Sequence, residues 1–293
     1  MPENIPQPAP EPTAVPAPDP AAAAQAAAER ERTALHRLSR LHEVPELQAC
    51  ALALLLPPGS KRARQVWNAE TEGTPQAGEL RIEVKQLSAA TRLPCFEWLL
   101  ARMGTTPMPD REALLAATRR VMGARGVVRT IDRLYWLSMR QRLGEASLAS
   151  PRTAAEVDIS KLPQADVMSI ASYSAFLSHL VPTTPARGDE GAAWYTTAMR
   201  AWWAEGDLPP RDRPDTDGLV QALHELQLMH WMQRPVVVRG WVSAALQHSR
   251  HAVLDDDAAD ALRLSCSLLD SPMPPELAQH YREIGTDLAG AAA

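Results

Sequence analysis

The sequence predicts an all-α protein: two helical blocks behind a disordered, proline- and alanine-rich tail. Three observations carry that expectation. Apolar residues recur at helical spacing, as in Phe96, Leu99, Leu100 and Met103, which fall at i, i+3, i+4 and i+7. Prolines and glycines stand where such runs begin and end. No stretch alternates apolar and polar residues long enough for a strand. The β-branched run Val236-Val237-Val238 follows Pro235 and leads into Trp241, Ala244 and Ala245 at helical spacing, so helix is expected there too.

Residues 1–20 carry eight prolines with alanine and glutamate between them, a polyproline-leaning acidic spacer that buries nothing. From Ala21 the chain turns to AAAAQAAAERERTALHRLSRLH, a strong helix former. Pro45-Glu46 opens a helix over 46–56, and Pro57-Pro58-Gly59 closes it. Helices over 60–71 and 78–91 follow, the second with Leu80, Val84 and Leu87 on one face. Pro109-Asp110 caps a helix over 111–124, the turn Gly123-Ala124-Arg125-Gly126 follows, and a helix over 129–143 ends at Gly144. The first block is therefore 21–144. Residues 145–164 read as a linker containing Pro151 and Pro163, and a second helical block spans 165–288, with breaks near 181–191, 206–217 and 269–275. A faint internal repeat links the blocks, because 119–144 and 242–275 share a helix–turn–helix pattern.

Composition narrows the function classes. With 293 residues and 45% hydrophobic content, the chain has enough apolar material for a packed core. Only Lys61, Lys85 and Lys161 are lysines among 30 basic residues, but the arginines alternate with acids and the net charge is −5. That balance argues against nucleic acid as a partner. Cys50, Cys95 and Cys266 are odd in number, far apart and set in apolar runs, so they read as core residues in a reducing compartment, not a disulfide or zinc framework. The N-terminus lacks a basic region followed by an apolar one, so no secretory signal is expected. The apolar run 47–56 covers about half of the ~20 residues a bilayer span needs. A cytoplasmic protein without direct membrane insertion is expected, membrane-peripheral only through a partner.

The helix–turn–helix across 93–144 resembles the helical module that follows the catalytic domain in membrane-bound zinc metallopeptidases of the HtpX type, itself similar to TerB-like tellurite-resistance domains. Four pieces agree in order over about 47–277. They are an apolar helix followed by Lys61-Arg62-Ala63-Arg64-Gln65; the RLP-x-x-E segment Arg92-Leu93-Pro94-Cys95-Phe96-Glu97; the helix–turn–helix of 119–143; and Arg234-Pro235 with the later Asp270-Ser271-Pro272-Met273-Pro274-Pro275. The resemblance implies TerB-like helical units and a protein partner, with a membrane-bound metallopeptidase the first choice. It also shows departures. An Asp that could hold a divalent cation in the TerB turn is Arg125 here, whose fixed charge repels a metal, although Asp132 remains one turn further on. The second turn, 248–252, has no Asp-Gly, and the sequence contains neither the HExxH helix nor the membrane helices of such a peptidase.

Candidate chemistry is sparse. In HELQLMH, His224 and His230 are six residues apart, roughly 240° round a helix, and cannot share one ion. His230 instead shares a stripe with Leu219, Leu223 and Leu226, as a partly buried, hydrogen-bonded residue would. His248, His251 and Asp255, with Asp256 and Asp257 behind them, are the candidate metal ligands; the simpler reading is a loop and an acid-rich helix start. Trp202 and Trp203 are adjacent, so on a helix one points roughly 100° from the other and is a candidate partner anchor. No catalytic residue and no cofactor is nominated. The expectation is a non-catalytic helical interaction or regulatory scaffold. The alternatives are an accessory or shortened part of a membrane metallopeptidase system, and a TerB-like metal- or small-ligand-binding module.

Overall fold

The computed structural model describes residues 20–124, 126–144, 162–181, 190–203 and 206–284, and every regular element among them is helical. The expected tail (except Pro20), Arg125 of the first turn and 145–161 of the expected linker lie outside the described residues.

In the first half, α2 (Val44–Leu54) is the hub. Residues Ala49 through Leu55 are all buried, as an apolar surface on every side of a helix requires. Around it pack α3 (Lys61–Glu70), α4 (Ala77–Gln86), α5 (Ala89–Met103) and α6 (Met108–Gly123). α1 (Pro20–Leu38) lies on α4 and buries Ala34 and Leu38, while α7 (Thr130–Arg142) packs on α5 and α6. Asp132, the acid left near the first turn, caps the start of α7: it accepts the Arg129 N–H at 3.1 Å and ion-pairs the same residue's guanidinium at 3.0 Å.

The second half contains α8 (Gln164–Leu177), α9 (Glu190–Arg200), α10 (Thr216–Leu228), α11 (Arg234–His248), a 3-10 turn at Arg250–Ala252, α12 (Asp256–Leu268) and the short α13 (Pro275–Ala278). Its largest side chains are buried with their polar ends satisfied. Trp241 donates to Ser174 Oγ at 2.8 Å, Trp194 donates to the Trp241 carbonyl at 3.2 Å, and the Tyr173 hydroxyl meets Ser265 Oγ at 3.0 Å. The valine run lies within α11, as the helical spacing beyond it predicted.

The two halves meet where α12 packs on α7, and their buried side chains form one hydrophobic cluster. A buried ion pair crosses the seam: Arg263 of α12 donates to Glu97 of α5 at 2.7 and 2.9 Å, and to Glu283 at 2.7 Å. No described helix is long and apolar enough to cross a membrane.

One expected helix is broken. The run 78–91 divides into α4 and α5, with Leu87 extended at ψ 130° and Ser88 at the N-cap of α5. The break is supplied from α1. The buried Glu31 carboxylate accepts the Ser88 N–H at 2.7 Å and the Thr91 hydroxyl at 2.5 Å, serving as a cap 57 residues away in sequence. Burial pushes the Glu31 carboxyl up, but these hydrogen bonds hold it below its ordinary value. At the far end of the chain, α12 stops in a Schellman turn. Asp270 takes φ 48°, and Ser271 N–H reaches back to the Cys266 carbonyl at 3.0 Å.

Candidate functional site

The residues nominated by sequence scatter. Trp202 and Trp203 lie beyond the end of α9, so the helical 100° separation does not apply to them. Both backbone N–H groups donate to the Met199 carbonyl at 2.9 Å, and both indoles are half-buried against the core. His248 is hydrogen-bonded to Thr197 at 2.7 Å, His251 is exposed in a left-handed conformation at φ 57°, and Asp255 is the exposed N-cap of α12. Among the described residues no three His, Cys, Asp or Glu side chains gather as a metal site would need. Asp256 faces His280 at 3.3 Å instead. His224 is exposed on α10, whereas His230 lies past its end, half-buried, accepting the Met232 N–H at 3.3 Å. The three cysteines are buried free thiols; burial pushes Cys95 and Cys266 up to about 12 and Cys50 higher still, so none is an activated nucleophile.

The open tryptophan is Trp231. It is 62% exposed, and Met232 beside it and Val236 in the first turn of α11 are 43% and 42% exposed. Sequence inspection passes over it because an isolated tryptophan between two helices carries no periodicity. The turn that presents it is held from below by Arg234, which is only 4% exposed. Its guanidinium donates to the carbonyls of Met229 at 3.2 Å, Leu269 at 3.0 Å and Gln227 at 2.5 Å. One side chain thus caps the C-terminal ends of both α10 and α12, where a positive charge also complements the helix dipoles. Gln227 adds a bond to the Leu268 carbonyl at 2.8 Å and another to Gln141 of α7 at 3.1 Å. The backbone beneath Trp231 is therefore fixed while its indole stays open to solvent.

A groove runs along the turn between α2 and α3 in two adjoining chambers that share Leu56, Pro58 and Arg92. The larger, about 500 Å³, takes Arg64 from α3, Arg81 and Lys85 from α4, and Arg92 from α5, with no acid in its lining. The smaller, about 290 Å³, is lined by Arg92, Arg129, Tyr135 and the acids Asp256, Asp257 and Asp260. Asp260 accepts the hydroxyls of Tyr135 at 3.0 Å and Tyr281 at 2.9 Å. Burial pushes its carboxyl up to about 6; the charges of Asp257 and Asp256 add to this and the two hydroxyls oppose it.

The residues that carried the resemblance have structural roles in this fold. Arg92 binds the Leu54 carbonyl at 2.6 Å at the end of α2, Glu97 is the partner of Arg263, and Arg234 is the double cap. Set against protein-family models, curated proteins and solved structures, the chain matches none.

Proposed function

We propose that this protein is a non-catalytic helical interaction scaffold that engages a protein partner through the Trp231–Met232 turn. The supporting observation is the pairing of an open indole with a backbone fixed by Arg234. An exposed tryptophan on a rigid support loses little entropy on docking, and such residues dominate binding energy at interfaces. The partner favoured by the motif order is a membrane-bound zinc metallopeptidase of the HtpX type, engaged from the cytoplasmic side. In this reading the protein supplies a docking surface and the partner supplies the chemistry.

The test is binding to the detergent-solubilised peptidase of the same host, measured by biolayer interferometry. Trp231→Ala with Met232→Ala should weaken binding at least ~30-fold, as removal of about 2 kcal/mol at a hot spot implies. No binding by the wild-type protein, or equal binding by the double variant, would reject the reading. So would zinc-dependent cleavage of casein by the scaffold alone.

A further inference from the structure

We infer that the larger chamber of the groove is a binding site for a small organic phosphate carrying two or more negative charges. This site uses none of the residues of the Trp231 turn and stands independently of the scaffold reading. Four cations line the chamber, drawn from three helices: Arg64 of α3, Arg81 and Lys85 of α4, and Arg92 of α5. No acid shares that lining, and no carboxylate pairs with any of the four among the described residues. Arg81 and Lys85 stand four residues apart on one helix face, an arrangement that repels unless an anion lies between them.

Two of the cations, Arg81 and Arg92, are also held in place. Trp67 donates to the Ala49 carbonyl of α2 at 3.0 Å, and the Arg81 guanidinium lies over its ring at 5.6 Å. Arg92 is anchored through the Leu54 carbonyl; burial works against its charge, and Tyr135 and Asp260 on the side of the smaller chamber offset this only in part, so an anion in the larger chamber relieves the rest. Ser60, the N-cap of α3, lies at the rim and adds the positive end of that helix.

The chemistry of the ligand follows from number and direction. A planar carboxylate is satisfied by one guanidinium fork, whereas cations arriving from three helices suit the tetrahedral oxygens of phosphate. The remaining wall, including Ala53, Leu56 and Val84, is apolar, and a chamber of about 500 Å³ falls in the range of small-molecule sites. A diphosphate or phosphomonoester with a compact apolar body fits both features.

The probe is inorganic pyrophosphate, with citrate as the carboxylate comparison, followed by thermal melting and calorimetry of the full chain at low salt. Pyrophosphate should raise Tm by a few degrees and bind at least tenfold more tightly than citrate, with affinity falling as salt rises. Arg64 and Lys85 are exposed, so Arg64→Gln with Lys85→Gln keeps the fold and should weaken pyrophosphate at least tenfold. Arg239→Gln, at an exposed arginine outside the chamber, should leave binding unchanged. Absence of any pyrophosphate effect, equal binding of citrate, or binding that survives the Arg64/Lys85 variant would each overturn the assignment.

Discussion

The carbonyl of Ala90 accepts the backbone N–H of Arg282 at 3.0 Å, across 192 positions of the chain. The bond exists because Pro94 sits inside α5. Residue 94 would normally donate to the Ala90 carbonyl, four residues back, but proline has no N–H to give. The C-terminal segment fills the gap. Tyr281 on one side of Arg282 binds Asp260, and Glu283 on the other binds Arg263, so the segment is fastened at three consecutive residues.

Pro94→Ala should therefore strengthen α5 locally and loosen the C-terminal segment. The amide N–H restored at position 94 would compete for the Ala90 carbonyl, and the Arg282 amide should lose at least tenfold in hydrogen-exchange protection. Proteolysis at Arg282 should accelerate in parallel. Unchanged protection of Arg282 in the variant would show that proline does not create this contact.

Arg263 and Glu97 form the ion pair most enclosed at the seam, with side chains 7% and 18% exposed. Burial pushes the Glu97 carboxyl up and the Arg263 charge opposes it, leaving Glu97 above its ordinary value. Arg263→Ala would strand that carboxylate and should cost about 3–5 kcal/mol in urea unfolding. Adding Glu97→Ala should recover part of the loss, since the stranded charge is then gone. Strict additivity of the two changes would contradict a coupled pair.

Asp260 makes stability pH-dependent in a defined direction. Its carboxyl is raised from 3.8 to about 6 in the folded protein. Between about pH 4 and pH 6 the folded state therefore holds a proton that the unfolded chain has released, and stability falls as pH rises through that window. At about 1.36 kcal/mol per pH unit the full effect is at most about 3 kcal/mol. Asp260→Asn should flatten this fall, which denaturant melts at about pH 4 and pH 7 will measure. A variant that keeps the wild-type pH dependence would assign the effect to other groups.

Ala252 occupies the left-handed region at φ 55°, directly after His251 at φ 57°. A Cβ is disfavoured there, and the side chain is exposed, so it contributes no packing in return. Ala252→Gly should raise stability by about 0.5–1 kcal/mol, against the usual direction of alanine-to-glycine changes. A drop in Tm would mean that the unfolded chain's gain in freedom outweighs the relief.

The helical class, most helix positions and the burial of all three cysteines were legible in the sequence. An α-helix is closed by bonds between residues four apart, so a window of a few turns contains the information that specifies it. The tertiary structure alone decided what lies outside any such window. The stop at Leu87–Ser88 depends on Glu31 of α1, and the Ala90 carbonyl finds its donor at Arg282. Which tryptophan faces solvent depends on which carbonyls Arg234 reaches. Along 64–92 the cations Arg64, Arg81, Lys85 and Arg92 are matched in number by Glu70, Glu72, Glu79 and Glu83, and the charges cancel on paper. Folding sends Glu70 to Arg120 and Glu83 to Arg37, and leaves the four cations facing one chamber. Net charge is a sum over sequence, whereas the electric field in a groove depends on which side chains the packed helices point into it.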